Sequence, residues 1–346
     1  MPPPNATPSS TPVPLAVDLD GTLIRTDMLW ESLGRLLCRH PFVALRVPFW
    51  LRRGRAYCKQ QLVARVTVDP ATLPYHKAFL DWLKEQKAGG RILILATASD
   101  INMATPIANH IGLFDDVMAS DGKTNLRNAA KHRALTERFG EHGYDYAGNS
   151  TDDLGVWPGA RAAVVVNAPE SLARRAAKTT KVAQTFLRPT SHLKSLASAL
   201  RPLQWIKNLI LFIPVLTAHQ LGDQPALLRV TLAFVAFCLA DSAAGLLNAL
   251  RHLDADRQLP TQRHSPLASG DLPLQFALLG IPLLLLVALG LALGLSCQFA
   301  IVTGLFFATA ISYSGRLEHI TLLEGLFVAG RYAIRLVAGL IAAGIP

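Results

Sequence analysis

The sequence predicts a chain in two parts, a parallel α/β domain followed by an all-helical membrane bundle. In the first half, short apolar runs end at polar clusters and alternate with helical stretches, which is typical of a parallel sheet. In the second half, the apolar residues crowd into stretches long enough, or nearly long enough, to cross a bilayer. A basic segment precedes the first of these stretches, as expected for a cytoplasmic approach to a membrane.

The boundaries of the two parts follow from changes in composition. Residues 1–13 carry no basic n-region and no apolar core, so we predict a disordered tail rather than a secretory signal. The α/β domain is expected over residues 14–190, a linker and interfacial segment over 191–207, and the membrane part over 208–346.

Four strands are predicted in the α/β domain, over residues 14–19, 91–96, 145–147 and 162–167. Helical patterns at 76–88 and 129–140 lie between them. Because ligands of parallel sheets bind at the carboxyl ends of the strands, the polar clusters that follow the strands are expected to form one site.

Two carboxylates in the first of these clusters predict phosphoryl chemistry. Asp18 and Asp20 stand one residue apart in a tight turn, so one can act as nucleophile and the other as general acid. Asp18 is the predicted nucleophile, and Asp20 is predicted to protonate the leaving oxygen. Asp153, which follows the third strand, is expected to join them as an oxygen ligand of Mg²⁺.

Two further residues are predicted to handle the phosphoryl charge. Thr97 is expected to hold a phosphoryl oxygen, and Lys131 is expected to neutralise the negative charge of the phosphoaspartate. Lys123 is a rival for the second role, and Lys131 alone could also be a solvated helix lysine.

The α/β half resembles the haloacid-dehalogenase superfamily of phosphatases. The matching motifs are DLDGT, Thr97, Lys131 within NAAKHRAL, and GNSTDD, in that order. The resemblance implies a Rossmann-like fold, a small helical cap at about 25–85 and Mg²⁺ as cofactor. It also implies that Asn149 is a metal ligand, although the family commonly has aspartate there, so this ligand is neutral.

Five membrane spans are predicted, over residues 208–222, 227–250, 273–295, 297–314 and 321–345. Alternate loops carry the arginines: 251–272 and 315–320 contain them, whereas 222–226 and 294–298 contain no lysine or arginine. By the positive-inside rule these two basic loops are cytoplasmic, and so are residues 1–207. We expect a multi-pass protein of the cell inner membrane.

The net charge of +10 does not indicate nucleic-acid binding, because the basic residues form no single stripe interleaved with aromatics. Membrane lipid is the expected partner. Cys38, Cys58, Cys238 and Cys297 have no metal-like spacing, and two of them fall in membrane spans, so all four are predicted to be free thiols.

Polar groups cluster at the predicted cytoplasmic ends of the spans. The segment Arg201–Asn208 either anchors the first span or binds phosphate through Lys207. Asn248, His252 and Asp256 recur every four residues and therefore share a helix face. The segment after the fourth span supplies Tyr313, Arg316, Glu318 and Glu324.

The membrane half resembles the UbiA-type prenyltransferase superfamily, and within it the branch similar to decaprenyl-phosphate phosphoribosyltransferases. The match lies in RPLQWIKN, the Asn248–Arg257 segment, RHSPLASG and YSGRL. It implies polyprenyl phosphate or a prenyl diphosphate, a phosphorylated co-substrate, and Mg²⁺ held by carboxylates. The residues implied for this site are Lys207, Asn248, Asp256 (metal), Arg257, Arg263, Tyr313 and Arg335.

The sequence departs from that family pattern at several positions. Ala249 and His252 replace two of three carboxylates, Glu318 stands where a lysine is usual, and Glu324 stands where an aspartate is usual. The family has about nine spans, so we expect a truncated product or a fragment, in which an oligomer could cover open helix faces. Three hypotheses remain: a transferase fused to a phosphatase, a membrane-anchored phosphatase with an inactive transferase half, and a non-catalytic lipid- or partner-binding protein.

Overall fold

The computed structural model describes residues 12–121, 124–188, 191–316 and 321–345. The chain divides into two compact units, Met1–Thr190 and Ser191–Pro346. Residues 1–11 of the predicted tail, together with Lys123 and Glu318, lie outside the described residues.

The first unit contains a six-stranded sheet in which all neighbouring strands pair in parallel. The strands are β1 (Leu15–Val17), β2 (Leu93–Asp100), β3 (Asp116–Ser120), β4 (Asp145–Gly148), β5 (Ala162–Ala168) and β6 (Lys181–Leu187), in the order β3-β2-β1-β4-β5-β6. The predicted parallel α/β fold is confirmed. The sequence pattern missed β3 and β6, since β3 is only partly buried and β6 is largely exposed, each at one edge of the sheet.

Eight helices are described in this unit: α1 (Met28–Arg39), α2 (Pro41–Ala44), α3 (Val47–Arg52), α4 (Arg55–Val63), α5 (Lys77–Ala88), α6 (Ile101–Ile111), α7 (Ala129–Phe139) and α8 (Glu170–Ala176). The first four form an insert between β1 and β2 with an apolar core of its own around Trp50. A bridge between Ile24 and Tyr75 closes the insert. Most of helix α5 falls inside the expected cap at about 25–85, but α5 packs with the main core through Phe79 and Leu83.

The central strand β1 is buried on both faces. Leu15 and Val17 pack with Phe79 on one face, and Ala16 packs with Trp157 on the other. Successive side chains of a strand point to opposite faces, so three residues contribute to two cores. This double burial explains why β1 reads as a continuous apolar run instead of an alternating one.

The second unit is all-helical in its described part: α9 (His192–Ala199), a 3₁₀ segment (Pro202–Phe212), α10 (Ile213–Thr217), α11 (Gln224–Arg251), α12 (Leu253–Gln258), α13 (Leu274–Leu295), α14 (Cys297–Arg316) and α15 (Thr321–Ala343). Its apolar core combines three phenylalanines with alanines, and such small residues let helices approach closely. The predicted membrane helix bundle is confirmed.

The number of spans is smaller than expected within the described residues. Gln224–Arg251, Leu274–Leu295 and Gly325–Ala343 are long and apolar enough to cross a membrane. Helix α9 and Pro202–Thr217 form a pair bent by 42° that would make a fourth span, and the apolar part of α14 is shorter. The expected span at 208–222 begins as 3₁₀ helix and α10 ends at Thr217, so these residues do not form one straight helix.

Candidate functional site

The DLDGT turn directly after β1 requires glycine at its centre. Gly21 has a φ of +77°, and a Cβ on it would lie 2.0 Å from Nδ2 of Asn149. The hydroxyl of Thr22 donates a hydrogen bond of 3.3 Å to Oδ1 of the same asparagine. The turn after β1 and the turn after β4 therefore touch, as expected of neighbouring parallel strands.

A chain of buried polar groups links the carboxylates of these two turns. Nζ of Lys131, on α7, donates to Oδ1 of Asp18 at 2.6 Å and to the Tyr146 hydroxyl at 2.9 Å. That hydroxyl donates in turn to Oδ1 of Asp153 at 2.7 Å. All four residues are buried, so these charge-assisted bonds hold the carboxylates in defined positions.

Asp153 is also fixed by its own turn. Its Oδ2 accepts hydrogen bonds from the amides of Asn149 and Ser150 at 2.9 and 2.8 Å, and from the Ser150 hydroxyl at 3.1 Å. Ser150 and Asp153 form a capping box at the start of a 3₁₀ helix. The carboxylate is thus oriented before any ligand binds.

Asp20 directs its carboxylate away from this chain. Its Oδ2 accepts from the Ser99 hydroxyl at 2.6 Å, and its Oδ1 accepts from the Met28 amide at 2.8 Å. Thr97 is fully buried, and its Oγ1 accepts from the Ser99 amide at 3.0 Å. Lys59, from the helical insert, donates to the Ala98 carbonyl at 2.6 Å.

Burial raises the pKa of both aspartates of the turn. The pKa of Asp18 rises to about 7 through burial and through the Asp153 and Asp20 carboxylates, while Lys131 opposes the rise. The pKa of Asp20 rises to about 6 through burial and Asp27, while Lys59 opposes it. At neutral pH a fraction of Asp20 therefore carries the proton that a general acid needs.

The donor chemistry of the site fits Mg²⁺. Asp18, Asp153 and Asn149 offer carboxylate and amide oxygens, which are the ligands that Mg²⁺ prefers. The mutual repulsion of the two carboxylates would be relieved by a cation. Within the described part of the chain no three His, Cys, Asp or Glu side chains form a ready metal cluster, and the predicted ligand Asp20 bonds Ser99 and Met28 instead.

The second unit contains a cavity of about 300 Å³. Among its described lining residues, four are cations and one is a carboxylate: Arg201, Lys207, Arg331, Arg335 and Asp241. Gln204, Trp205, Ser242, Asn248 and Tyr332 add polar groups. The excess of positive charge makes the cavity suitable for an anion.

A polar network supports the wall of this cavity. Arg331 donates to Oδ1 of Asp241 at 2.9 Å, and Nε of Arg335 donates to Oδ1 of Asn208 at 2.7 Å. Both guanidinium groups lie about 5 Å from the ring centroid of Phe306, at 5.0 and 4.8 Å. Ionisable groups on membrane helices are costly to bury, so their convergence on one cavity indicates a functional site.

The cavity brings together three of the residues predicted for the membrane half, Lys207, Asn248 and Arg335. Arg257 instead donates to the Ala268 carbonyl at 3.2 Å, and Arg263 is exposed beside His264. Asp256 is half-buried outside the cavity wall; burial raises its pKa, and His252 and Arg201 oppose the rise. The side chain of Tyr313 lies outside the described part of the structure.

Sequence reasoning missed several members of both sites. In the membrane half these are Asp241, Arg331 and Tyr332, and in the α/β half they are Tyr146 and Ser99. Arg201 stood in the predicted Arg201–Asn208 segment but was given no role of its own. One signal was available: Asp241 and Arg331 are charged residues in the interior of largely apolar helices, which by itself marks a candidate site.

Residues 209–346 match the model of the UbiA prenyltransferase family. The membrane half is a UbiA-family domain. The uncharacterized protein y4nM of Sinorhizobium fredii is 35% identical over 335 residues, which cover 96% of this chain and 64% of that protein. The decaprenyl-phosphate phosphoribosyltransferase of Mycolicibacterium smegmatis is 36% identical over 164 residues, 46% of this chain and 51% of that protein. The chain thus spans between about half and two thirds of the length of these relatives.

Solved structures also show similarity to this chain. A phosphoserine phosphatase in its apo form is 16% identical and matches with a TM-score of 0.34, over 54% of this chain and 98% of that one. A protein of unknown function from Bordetella pertussis is 17% identical with a TM-score of 0.40, over 50% of this chain and 98% of that one. The roles of Asp18 and its neighbours therefore rest on the geometry of this chain.

Proposed function

We propose that the protein is an enzyme of polyprenyl-linked lipid metabolism with two active parts. The α/β unit is a Mg²⁺-dependent phosphomonoester hydrolase, and the UbiA-family domain is a transferase that acts on a polyprenyl phosphate or prenyl diphosphate. The observation that supports the hydrolase best is the buried Asp18 carboxylate, bonded to Lys131 and adjacent to the partly protonated Asp20.

In the hydrolase, Asp18 attacks the phosphorus of the substrate through one carboxylate oxygen, and the bond to the leaving alcohol oxygen breaks. Asp20 gives its proton to that oxygen, since the raised pKa keeps part of it protonated. Water then hydrolyses the aspartyl phosphate, with Asp20 as the base that takes the proton from water. Lys131 stays bonded to Asp18 and offsets the charge.

Asp18, Asp153 and Asn149 would hold Mg²⁺, which would supply further neutralisation of the phosphoryl charge. The hydrogen bonds to Asp153 from its own turn keep this ligand oriented. Asn149 is neutral, so the site carries one negative charge fewer than an all-carboxylate set.

In the UbiA-family domain, the cationic cavity is the proposed site for the phosphate groups of the lipid and of a phosphorylated co-substrate. Arginine pairs bind phosphate oxygens in a fixed geometry, and Lys207 adds a point charge. The similarity to decaprenyl-phosphate phosphoribosyltransferases supports a phosphoribosyl donor. A transferred 5-phosphoribosyl group retains a phosphomonoester, which is the class of bond that the hydrolase would cleave.

The proposed location is the cell inner membrane, with the hydrolase on the cytoplasmic side. The support for this orientation is the distribution of arginines over the predicted loops.

The test is phosphate release from sugar and lipid phosphomonoesters by the full chain in detergent, with Mg²⁺ or with EDTA. Asp18→Asn should abolish release, whereas Asp81→Asn, the same change at an exposed aspartate paired with Lys84, should leave it intact. Equal release by wild type and Asp18→Asn would overturn the hydrolase assignment.

A membrane-anchored phosphatase with an inactive transferase half is the second candidate. It is favoured by Ala249 and His252, which replace carboxylates of the family pattern, and by the pairing of Asp241 with Arg331. An assay for transfer of a labelled phosphoribosyl group from phosphoribosyl diphosphate to polyprenyl phosphate distinguishes this candidate from the first. Transfer that is lost in Lys207→Met supports the first candidate. Phosphatase activity without transfer supports the second. The absence of both activities indicates a binding protein.

A further inference from the structure

The helical insert of the α/β unit presents large apolar side chains to solvent. Phe42 is 85% exposed, Leu45 is 70%, Phe49 is 66% and Leu51 is 46%. They lie on α2, on α3 and in the short connection between these helices. We call these four residues the cap surface. Large apolar side chains grouped in this way mark an interaction surface, whereas isolated ones need no explanation.

The exposure of the cap surface is not a sign of a poorly packed insert. Ala44, Val47, Trp50 and Cys58 are buried and form a core beneath it. Along α3 the apolar residues therefore divide, with Val47 and Trp50 facing this core and Phe49 facing solvent. The four exposed residues are additional to those that the insert needs in order to fold.

The charge around the cap surface has one sign. Residues 32–68 contain seven arginines and one lysine and no aspartate or glutamate. Arg39, Arg46, Arg52 and Arg53 are exposed alongside the apolar residues. Basic and apolar side chains together, without acidic ones, are typical of segments that lie in the interface of an anionic bilayer.

We propose that the cap surface docks on the headgroup layer of a bilayer that contains anionic lipid. Its apolar residues would enter the boundary between headgroups and acyl chains, and its arginines would pair with lipid phosphates. The same chain carries helices long and apolar enough to cross a membrane, and these would tether the α/β unit to a bilayer. The proposal goes beyond the proposed enzymatic function and does not depend on it.

Docking would have a consequence for substrate access. The insert is joined to the site through helix α1 and its N-cap residue Asp27. The first amide of α1, that of Met28, donates a hydrogen bond to Asp20. With the insert at the headgroup layer, the proposed hydrolase would meet phosphomonoesters attached to lipids at its Asp18 site more often than without docking. This consequence, unlike docking itself, rests on the proposed hydrolase function.

The experiment measures amide hydrogen exchange of the full chain in lipid nanodiscs. Discs of phosphatidylcholine alone are compared with discs that also contain phosphatidylglycerol. We expect amides of residues 41–53 to exchange more slowly in the anionic discs. Each basic side chain near an anionic surface strengthens binding about fivefold, so reversing two charges should weaken docking by about 25-fold or more. The protection of these amides should fall by the same factor, until their exchange reaches the rate of the undocked insert.

The test variant is Arg52→Glu with Arg53→Glu. The matched control is Arg174→Glu with Arg175→Glu, the same charge change at exposed positions of α8. A second variant, Phe42→Ser with Phe49→Ser, removes apolar contacts but no charge. Exchange at the buried Cys58 and Leu62 positions, which lie outside residues 41–53, reports whether each variant keeps its fold.

Loss of protection in the Arg52/Arg53 and Phe42/Phe49 variants, but not in the control, supports the proposal. Equal exchange in both kinds of disc overturns it, because the arginines would then have no anionic partner. Protection that rises with protein concentration and not with lipid charge also overturns it, since the cap surface would then bind another protein.

Discussion

The Tyr146 hydroxyl links the two halves of the proposed hydrolase site, and Tyr146→Phe removes that link alone. The ring stays, so the packing of β4 against Trp157 and Val165 is kept. Burial raises the pKa of Tyr146 well above its usual value, so in the wild type the hydroxyl is neutral and donates to Asp153.

The size of the effect follows from the two bonds that are lost. The hydroxyl accepts from Lys131 at 2.9 Å and donates to Asp153 at 2.7 Å, and both partners are buried. Hydrogen bonds to charged groups contribute about 1.5–3 kcal/mol each, and a buried charge that loses its partner is costly. Because both charged partners keep other bonds, we expect a loss of about 2–4 kcal/mol in the stability of the α/β unit.

Native-state hydrogen exchange of the full chain, with EDTA present, measures this loss. Amides of β1 and β4 are the reporters, since they exchange through opening of the core. A loss of 2–4 kcal/mol corresponds to exchange that is about 30- to 700-fold faster.

Tyr144→Phe is the matched control. Tyr144 is also fully buried in the same core, but its hydroxyl bonds neither a lysine nor a carboxylate in the described structure. Its loss should stay below about 1 kcal/mol. If both variants changed exchange by the same small factor, the proposed bridge between Lys131 and Asp153 would be refuted.

Three further predictions concern the metal, the turn and the membrane cavity. Asp18, with its pKa raised to about 7, keeps a proton in the folded state between pH 4 and 7 that the unfolded state has lost, so its contribution to stability falls as the pH rises through that window. Mg²⁺ must displace that proton in order to bind Asp18. The rise in melting temperature that Mg²⁺ causes should therefore be larger at pH 7.5 than at pH 5, and equal rises would contradict the assignment of Asp18 as a metal ligand. Gly21→Ala should destabilise the α/β unit by about 2 kcal/mol or more in the same exchange experiment, because its Cβ meets Asn149 and its φ is positive. Combining it with Asn149→Gly should restore part of the lost stability. No restoration would mean that backbone strain alone causes the loss. Asp241→Asn leaves Arg331 without its carboxylate and should lower the stability of the membrane half by about 3–5 kcal/mol, which is measured as a lower melting temperature in detergent. An unchanged melting temperature would show that the pair is solvated.

Much of the candidate hydrolase site was predictable because it is encoded locally. Asp18, Asp20 and Asp153 each follow a short apolar strand, and the carboxyl ends of parallel strands meet at one edge of the sheet. The direction of the Asp20 carboxylate was not predictable, since it depends on Ser99, 79 residues away.

The membrane cavity was only partly predictable. Hydropathy locates membrane helices, but it does not state which faces meet or where a helix bends. Asp241 and Arg331 are 90 residues apart and become partners only when α11 and α15 pack together.

The sequence by itself determined the two-part architecture, the parallel α/β class and the presence of membrane helices, because strand and helix periodicity and hydropathy are properties of neighbouring residues. The tertiary structure decided that Tyr146 bridges Lys131 and Asp153, that four cations share a cavity with Asp241, and that the insert exposes its surplus apolar residues. The physical reason is that these features are contacts across long separations in the chain or differences in burial, and both exist only once the elements have packed.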